Sequence, residues 1–303
     1  MRSLKDIIRK GASTRLPRIM IVGVEGVGKS TFGAQCPSPL FLCSEDGLVG
    51  KGFDAVSSIS TESWTETLGI LDEMAKDSMG HKTLVIDTLD WLEPQVEQHV
   101  IRAANDPKIT SIESFGFGKG SVMVAEEFRR FFSRLEAVNH AGVVVVLLAH
   151  SIIKTFSNPV GDNYDRYEAK SGKKVAAMAR EWCDAVLFAT FLTQTKSDGM
   201  AKKATGGTER IVYTSHTAGW DAKNRHGMPE VLPLDTALIL QWMGVSVESA
   251  EEIKDEIAKL LTAMPEEKAK KAAAAVAGAK DDVTKLKAIK ARCETTIKET
   301  ENA

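Results

Sequence analysis

The sequence predicts an α/β fold in which a mainly parallel central sheet is flanked by helices, and three observations carry that prediction. Apolar runs rich in Val, Leu and Ile recur along the first two thirds of the 303 residues, most clearly Arg18 to Val22, Thr83 to Asp87 and Val143 to Ala149. They are continuous rather than alternating, the pattern of parallel strands buried on both faces. Between them lie segments of helical spacing, such as Trp64, Leu68, Leu71 and Ala75. The third observation is a glycine-rich stretch, Gly23 to Ser30 (GVEGVGKS), set between the first apolar run and a helical segment.

Taken in order, residues 1–16 read as a short, basic, amphipathic N-terminal arm. A core over 17–245 follows. Its first strand is Arg18 to Val22, and Lys29 to Gln35 begins a helix. Leu40 to Cys43 is a second strand, and Trp64 to Lys76 a helix. Thr83 to Asp87 is a third strand, with a helix near Glu93 to Ala104. After the glycine-rich Phe115 to Gly120 (FGFGKG), Val124 to Val138 places Phe128, Phe131, Phe132 and Leu135 on one helical side. Val143 to Ala149 and Ala185 to Leu192 are the fourth and fifth strands, and Arg210 to Ser215 a further one. Over 246–303 the chain turns Ala-, Lys- and Glu-rich. Ile253, Ile257, Leu260, Leu261 and Met264 share one helical face, and Val283, Leu286, Ile289, Cys293 and Ile297 another. A small helical appendage is the expectation there.

Composition narrows the class. Apolar residues make up 43% of the chain, enough for a packed core. The net charge is -2, so any nucleic-acid contact must come from local basic loops. Cys36, Cys43, Cys183 and Cys293 show no metal or redox spacing and read as reduced thiols of a cytoplasmic protein. The N-terminus lacks an apolar secretory region, and the longest apolar run is far too short to span a membrane.

The chemistry concentrates in the glycine-rich stretch. Gly23, Gly28, Lys29 and Ser30 satisfy the pattern G-x-x-x-x-G-K-[ST], and the strand before and helix after are the context that motif requires. Glycines let the backbone curl so that successive N–H groups point at phosphate oxygens, and the following helix adds its positive end. The residues expected to hold a nucleotide are Gly23, Val24, Glu25, Gly26, Val27, Gly28, Lys29, Ser30 and Thr31. Lys29 is expected at the β- and γ-phosphates of ATP, and Ser30 on Mg²⁺. Asp87 ends an apolar strand and is the expected acidic partner of the metal. Asp90 lies close enough to assist, although capping of the next helix is the plainer role for it. Hydrolysis also needs a group to orient water. Thr88, not an acid, follows Asp87, so Glu45 at the end of the second strand is the candidate, on the edge where parallel strands gather ligands.

This arrangement resembles the RecA family of P-loop NTPases, and the set GVEGVGKST, TLVIDTLDWLE, FGFGKG, LLAHS and AKNRHGMPEVLPL looks like that of phage-encoded, core-only RecA-like ATPases. The resemblance covers roughly Pro17 to Leu234. It implies catalytic roles for Glu45 and Lys29, and a γ-phosphate sensor at His150, where RecA itself carries glutamine. It places Lys223 and Arg225 where basic residues reach a neighbouring subunit's nucleotide. It further implies two DNA-binding loops. The first brings Lys119. The second, Ile153 to Lys174, brings Lys154, Phe156, Arg166, Tyr167, Lys170, Lys173 and Lys174, cations to track a phosphate backbone and aromatics to stack on bases. The implied partners are single-stranded DNA, further copies of the chain in a ring or filament, and a phage or host single-strand-binding protein. The implied function is DNA-stimulated ATP hydrolysis that promotes single-strand annealing or strand exchange in phage recombination. The alternatives are a motor or loader, and a nucleotide-gated scaffold in phage DNA replication. Thr195 to Asp198 (TKSD) matches a loose guanine-recognition pattern, but no Asp-x-x-Gly follows the third strand, so it reads as a turn. An Arg-rich lid, the mark of a small-molecule kinase, is not seen either.

Overall fold

The computed structural model describes residues 15–43, 56–198 and 201–301. The expected α/β architecture is what it shows. Strand β1 (Arg18–Gly23) leads through the glycine-rich loop into helix α1 (Lys29–Gln35), then β2 (Pro39–Cys43), β3 (Ser57–Ser60) and α2 (Trp64–Met74). Next come β4 (Thr83–Asp87), α3 (Leu89–Ala103) and the long α4 (Lys119–His140). The chain continues through β5 (Val144–Phe156), β6 (Tyr164–Ala169) and α5 (Lys173–Trp182). Then follow β7 (Ala185–Asp198), β8 (Ala201–Tyr213), β9 (Lys223–Asn224), β10 (Val231–Pro233) and α6 (Thr236–Trp242).

The strand order is β10-β8-β7-β1-β5-β4-β2-β3, with β6 on β5 and β9 on β7. From β7 across to β3 every pairing is parallel; β8, β10, β6 and β9 add antiparallel edges. Inserting β5 between β1 and β4 sets the glycine-rich loop and Asp87 one strand apart. Gly23 lies opposite His150 on β5 and Ala189 on β7, so these ends share one edge.

Both faces of the sheet are covered, which explains the unbroken apolar strands. Every residue of β1 and β4 is buried. On one face, α2 to α5 pack Trp64, Phe128, Phe131 and Phe132 against Leu84, Ile86 and Leu147. Trp64 meets Phe131 at 5.4 Å between ring centroids and donates its indole N–H to Glu127 at 3.0 Å, so the one polar group of that ring is satisfied. On the other face, α1 and α6 pack Phe32, Ile239 and Leu240 against Ile19, Val85 and Val146. Helix α1 comes so close that a Cβ on Gly33 would stand 2.9 Å from both Phe41 and Val85, so glycine is required there.

Three segments differ from the sequence expectation. Ile153 to Lys174 is not a long loop: β5 runs on past the sheet to Phe156 and returns as β6, pairing Ile153 with Tyr167 and Lys154 with Arg166. The fifth strand does not stop at Leu192, and TKSD is no turn. β7 continues to Asp198 and pairs back on β8, with Thr195 opposite Ala204. Cross-strand pairing supplied the stability that local composition did not advertise. Helix α4 begins at Lys119 rather than Val124, inside the glycine-rich stretch.

Beyond α6 stand α7 (Ala250–Leu261), α8 (Glu266–Ala279) and α9 (Val283–Glu301). Ser249 and Glu252 form a reciprocal capping box at the start of α7. The three helices bury Ile253, Ile257, Leu286 and Cys293 in a cluster of their own. Lys287 joins them to the core by donating to Gln35 O and Cys36 O at 3.2 and 3.1 Å, the carboxyl end of α1.

Candidate functional site

The carboxyl ends of β1, β4 and β5 enclose a cavity of about 210 Å³ lined by Gly26, Gly28, Lys29, Ser30, Thr31, Asp87, Thr88, His150 and Arg210. The loop's shape follows from its glycines. Gly26 and Gly28 sit at φ +71 and +106, backbone that side-chain-bearing residues rarely adopt. Val27 is fully buried in the core and pins the loop, while Glu25 is exposed. Gly28 stands at the N-cap of α1, and Phe32 N–H donates back to its carbonyl at 2.9 Å. Lys29 is buried and its ammonium donates to Gly23 O and Val24 O at 3.0 and 3.1 Å, so the charge is held under the loop. Ser30 and Asp87 are hard oxygen donors on the same cavity, the kind that suits Mg²⁺. Thr88 occupies the N-cap position of α3.

His150 is fixed from two sides. Its ring Nδ1–H donates to Asp90 Oδ2 at 2.9 Å, and its backbone N–H donates to Asp90 Oδ1 at 2.9 Å. Nε2 is thereby the ring nitrogen left for the cavity. Burial pushes the Asp90 carboxyl up, but the two hydrogen bonds from His150 outweigh it and leave the group below the usual carboxylate range. The helix-capping role expected of Asp90 is therefore corrected: its carboxylate orients the histidine. One turn along α3, Glu93 accepts the Gly172 N–H at 2.6 Å. Lys170 N–H in turn donates to His150 O at 2.8 Å. A continuous set of hydrogen bonds thus joins the cavity wall to the segment that carries Lys170, Lys173 and Lys174.

Glu45 lies outside the described residues. Lys223 and Arg225 are far from the cavity, at the opposite edge of the sheet, where β9 pairs with the first residues of β7. Both are engaged within the fold, although the Arg225 side chain remains exposed. The Lys223 ammonium donates to Arg180 O, Glu181 O and Cys183 O, closing the end of α5, and Arg225 pairs with Asp184 at 3.2 Å. Among the DNA-binding candidates, Lys119, Lys154, Lys170, Lys173 and Lys174 are exposed. Arg166 is not available: it is buried and bonds Asp221, which Arg180 also holds at 2.7 Å. Tyr167 packs against Phe188 with ring centroids 4.9 Å apart, and Phe156 is half-buried beside Tyr164. Sequence reasoning missed Arg210, whose only signal was its place in a strand of unassigned partner. The paired registry of β7 and β8 is what brings it to the cavity.

Among the described residues no helix is long and apolar enough to cross a membrane. Among solved structures, the chain is similar to the KaiC-like protein PH0186 from the hyperthermophilic archaeon Pyrococcus horikoshii OT3, at 12% identity and a TM-score of 0.37 over 66% of this chain and 78% of that one. Comparison with curated proteins gives no match. The family model described as AAA domain (AAA_24) matches residues 15–226, well over half of the chain, and the protein belongs to that family of P-loop ATPases.

Proposed function

We propose that this protein binds ATP with Mg²⁺, hydrolyses it, and uses the cycle to control its grip on single-stranded DNA, as a RecA-like ATPase of phage recombination that promotes annealing or strand exchange. The observation that carries the nucleotide half is the cavity itself, where Lys29, Ser30, Asp87 and His150 converge from two parallel strands and one helix start. Lys29 and the loop N–H groups take the phosphates, and Ser30 and Asp87 hold the metal. Mg²⁺ bound there neutralises phosphate charge as it develops. Glu45 is assigned to orient the attacking water. His150, steadied by Asp90, faces the γ-phosphate.

The DNA half rests on position and on connection. Exposed Lys170, Lys173 and Lys174 and half-exposed Trp91 lie around two neighbouring depressions on the same edge, of about 270 and 230 Å³. The Lys170 N–H bond to His150 O links them to His150, and helix α3 carries both Asp90, which holds the His150 ring, and Glu93, which holds Gly172. Cations that follow a backbone beside an aromatic for stacking suit a single strand. Assembly into a homo-oligomer, contact with a single-strand-binding protein and a cytoplasmic setting complete the reading.

The test is ATP hydrolysis with and without single-stranded DNA, beside DNA binding at low salt. Stimulation is expected. Neither stimulation nor binding would remove the DNA half and leave an ATPase of other purpose. Glu45→Gln is expected to keep ATP binding and lose turnover; normal turnover in that variant reassigns the water-orienting role.

A further inference from the structure

Arg210 has no assigned role, and its surroundings give it one. It stands on β8, the strand beside β7, which itself flanks the strand that feeds the phosphate loop. Its backbone is tied on both sides: it pairs with Phe191 of β7, and its carbonyl accepts the Leu234 N–H at 3.0 Å. The β7–β8 register shifts between Phe191 and Thr193, directly beside this pair. Such bulges turn side chains out of the regular alternation and are common next to active sites. The turned side chain arrives at the loop. A Cβ built on Gly28 would lie 3.1 Å from Arg210 Nη1 and 3.7 Å from Leu234 Cδ2. Arg210 lines the same cavity as Lys29, Ser30 and Asp87. Yet it is exposed, and among the described residues no carboxylate pairs with it. Arg18, Arg166, Arg180 and Arg225 each have one. A guanidinium held by anchored backbone over a phosphate loop, with no counter-ion among the described residues, is placed for an external anion.

We propose that Arg210 is a second phosphate-binding cation, supplied by the same chain that supplies Lys29, and that it contacts the polyphosphate of the bound nucleoside triphosphate. This deepens the nucleotide reading above and rests on it. Lys29 is buried and acts from beneath the loop. Arg210 acts from the rim, bidentate geometry giving it a planar grip on two phosphate oxygens. The conformation of Gly28 serves the same contact: glycine leaves the space that the guanidinium occupies.

The experiment is equilibrium binding of Mg·ATP to the full chain, its Arg210→Ala and Arg210→Lys variants, and Lys29→Ala. Loss of a charge-assisted contact predicts binding about 10-fold weaker in Arg210→Ala, with partial recovery in Arg210→Lys. The side chain is exposed, so thermal melting is expected to be unchanged; a lowered melting point with weakened binding would make the effect structural and overturn the proposal. Binding within about twofold of the parent, against the 10-fold expected for a lost charged contact, overturns it too. No binding by the unaltered chain would instead sink the nucleotide reading. Mixing Arg210→Ala with Lys29→Ala protein tests the same-chain assignment. Supply within one chain predicts no recovery of binding in the mixture, and recovery would place the arginine on a neighbour's site.

Discussion

At the carboxyl ends of β1, β4 and β5 the polar side chains line a cavity; at the amino ends of β1 and β7 they bond one another. Lys29, Ser30, Asp87, His150 and Arg210 line open space at the first edge. At the second, Arg18 donates to Asp184 through Nε and Nη2, each at 3.1 Å, and to Glu136 at 2.6 Å, while Arg15 joins Asp184 at 2.7 Å and Arg225 at 3.2 Å. Both edges are rich in charge. The difference lies in what stands beside the charges: a cavity at the first edge, further side chains at the second. A network packed against itself has offset its desolvation cost and holds the fold, whereas side chains on a cavity wall stand where a ligand can reach them. Lys29 and Lys223 make the contrast concrete. Each donates to backbone carbonyls, but Lys29 does so on the wall of a cavity and Lys223 at the sealed end of α5.

The contrast is broken most forcefully at Asp184. Removing this shared acid leaves Arg18 buried with its charge only partly met, so Asp184→Ala is expected to lose about 3–5 kcal/mol of stability. The melting temperature should fall while Mg·ATP affinity, measured well below it, stays near the parent value. Lys29→Ala should do the reverse: turnover falls by roughly 100-fold, about 2.7 kcal/mol of transition-state stabilisation, with little change in melting. If either variant shifts both readouts together, the two edges are not separate in function.

A pH series sharpens the same point. Burial alone would raise the Asp184 carboxyl, but hydrogen bonds from Arg18 and Arg15 hold it at about 2. A folded-state value below the unfolded one means stability that is complete above the ordinary carboxylate range and lost as pH falls toward 2. Melting temperature between pH 5 and pH 2 should therefore decline in the parent and decline less in Asp184→Asn.

Smaller effects follow. Asp90→Asn keeps the shape but weakens the hold on His150, and turnover should drop about 10-fold with ATP affinity retained, as expected when a positioning hydrogen bond is lost. The pH–rate profile should shift as well, which a purely structural role would not produce. Lys287→Met removes the tie between α9 and the end of α1, with an expected loss of about 1 kcal/mol and no change in turnover.

The glycine-rich loop was legible because each of its residues answers a local demand. Gly26 and Gly28 take positive φ, and Lys29 begins a helix. Asp87 was legible because it ends the apolar run Leu84, Val85, Ile86. Arg166 and Tyr167 were misread as loop residues, since alternating polar and aromatic residues suit a mobile loop and a paired strand equally. Pairing with β5 decided between them, and burial then gave Arg166 to Asp221.

By itself, the sequence determined the α/β class, the phosphate loop and the core strands β1, β2, β4 and β5. Those depend on local periodicity and on backbone conformations that few residues tolerate. Only the tertiary structure decided which charges line the cavity. The partner of a charge lies at the far end of a contact between residues distant in sequence, 166 positions for Arg18 and Asp184 and 60 for His150 and Asp90. Strand registry sets those contacts, and with them whether a cation such as Arg210 is left facing a cavity or is closed into the fold.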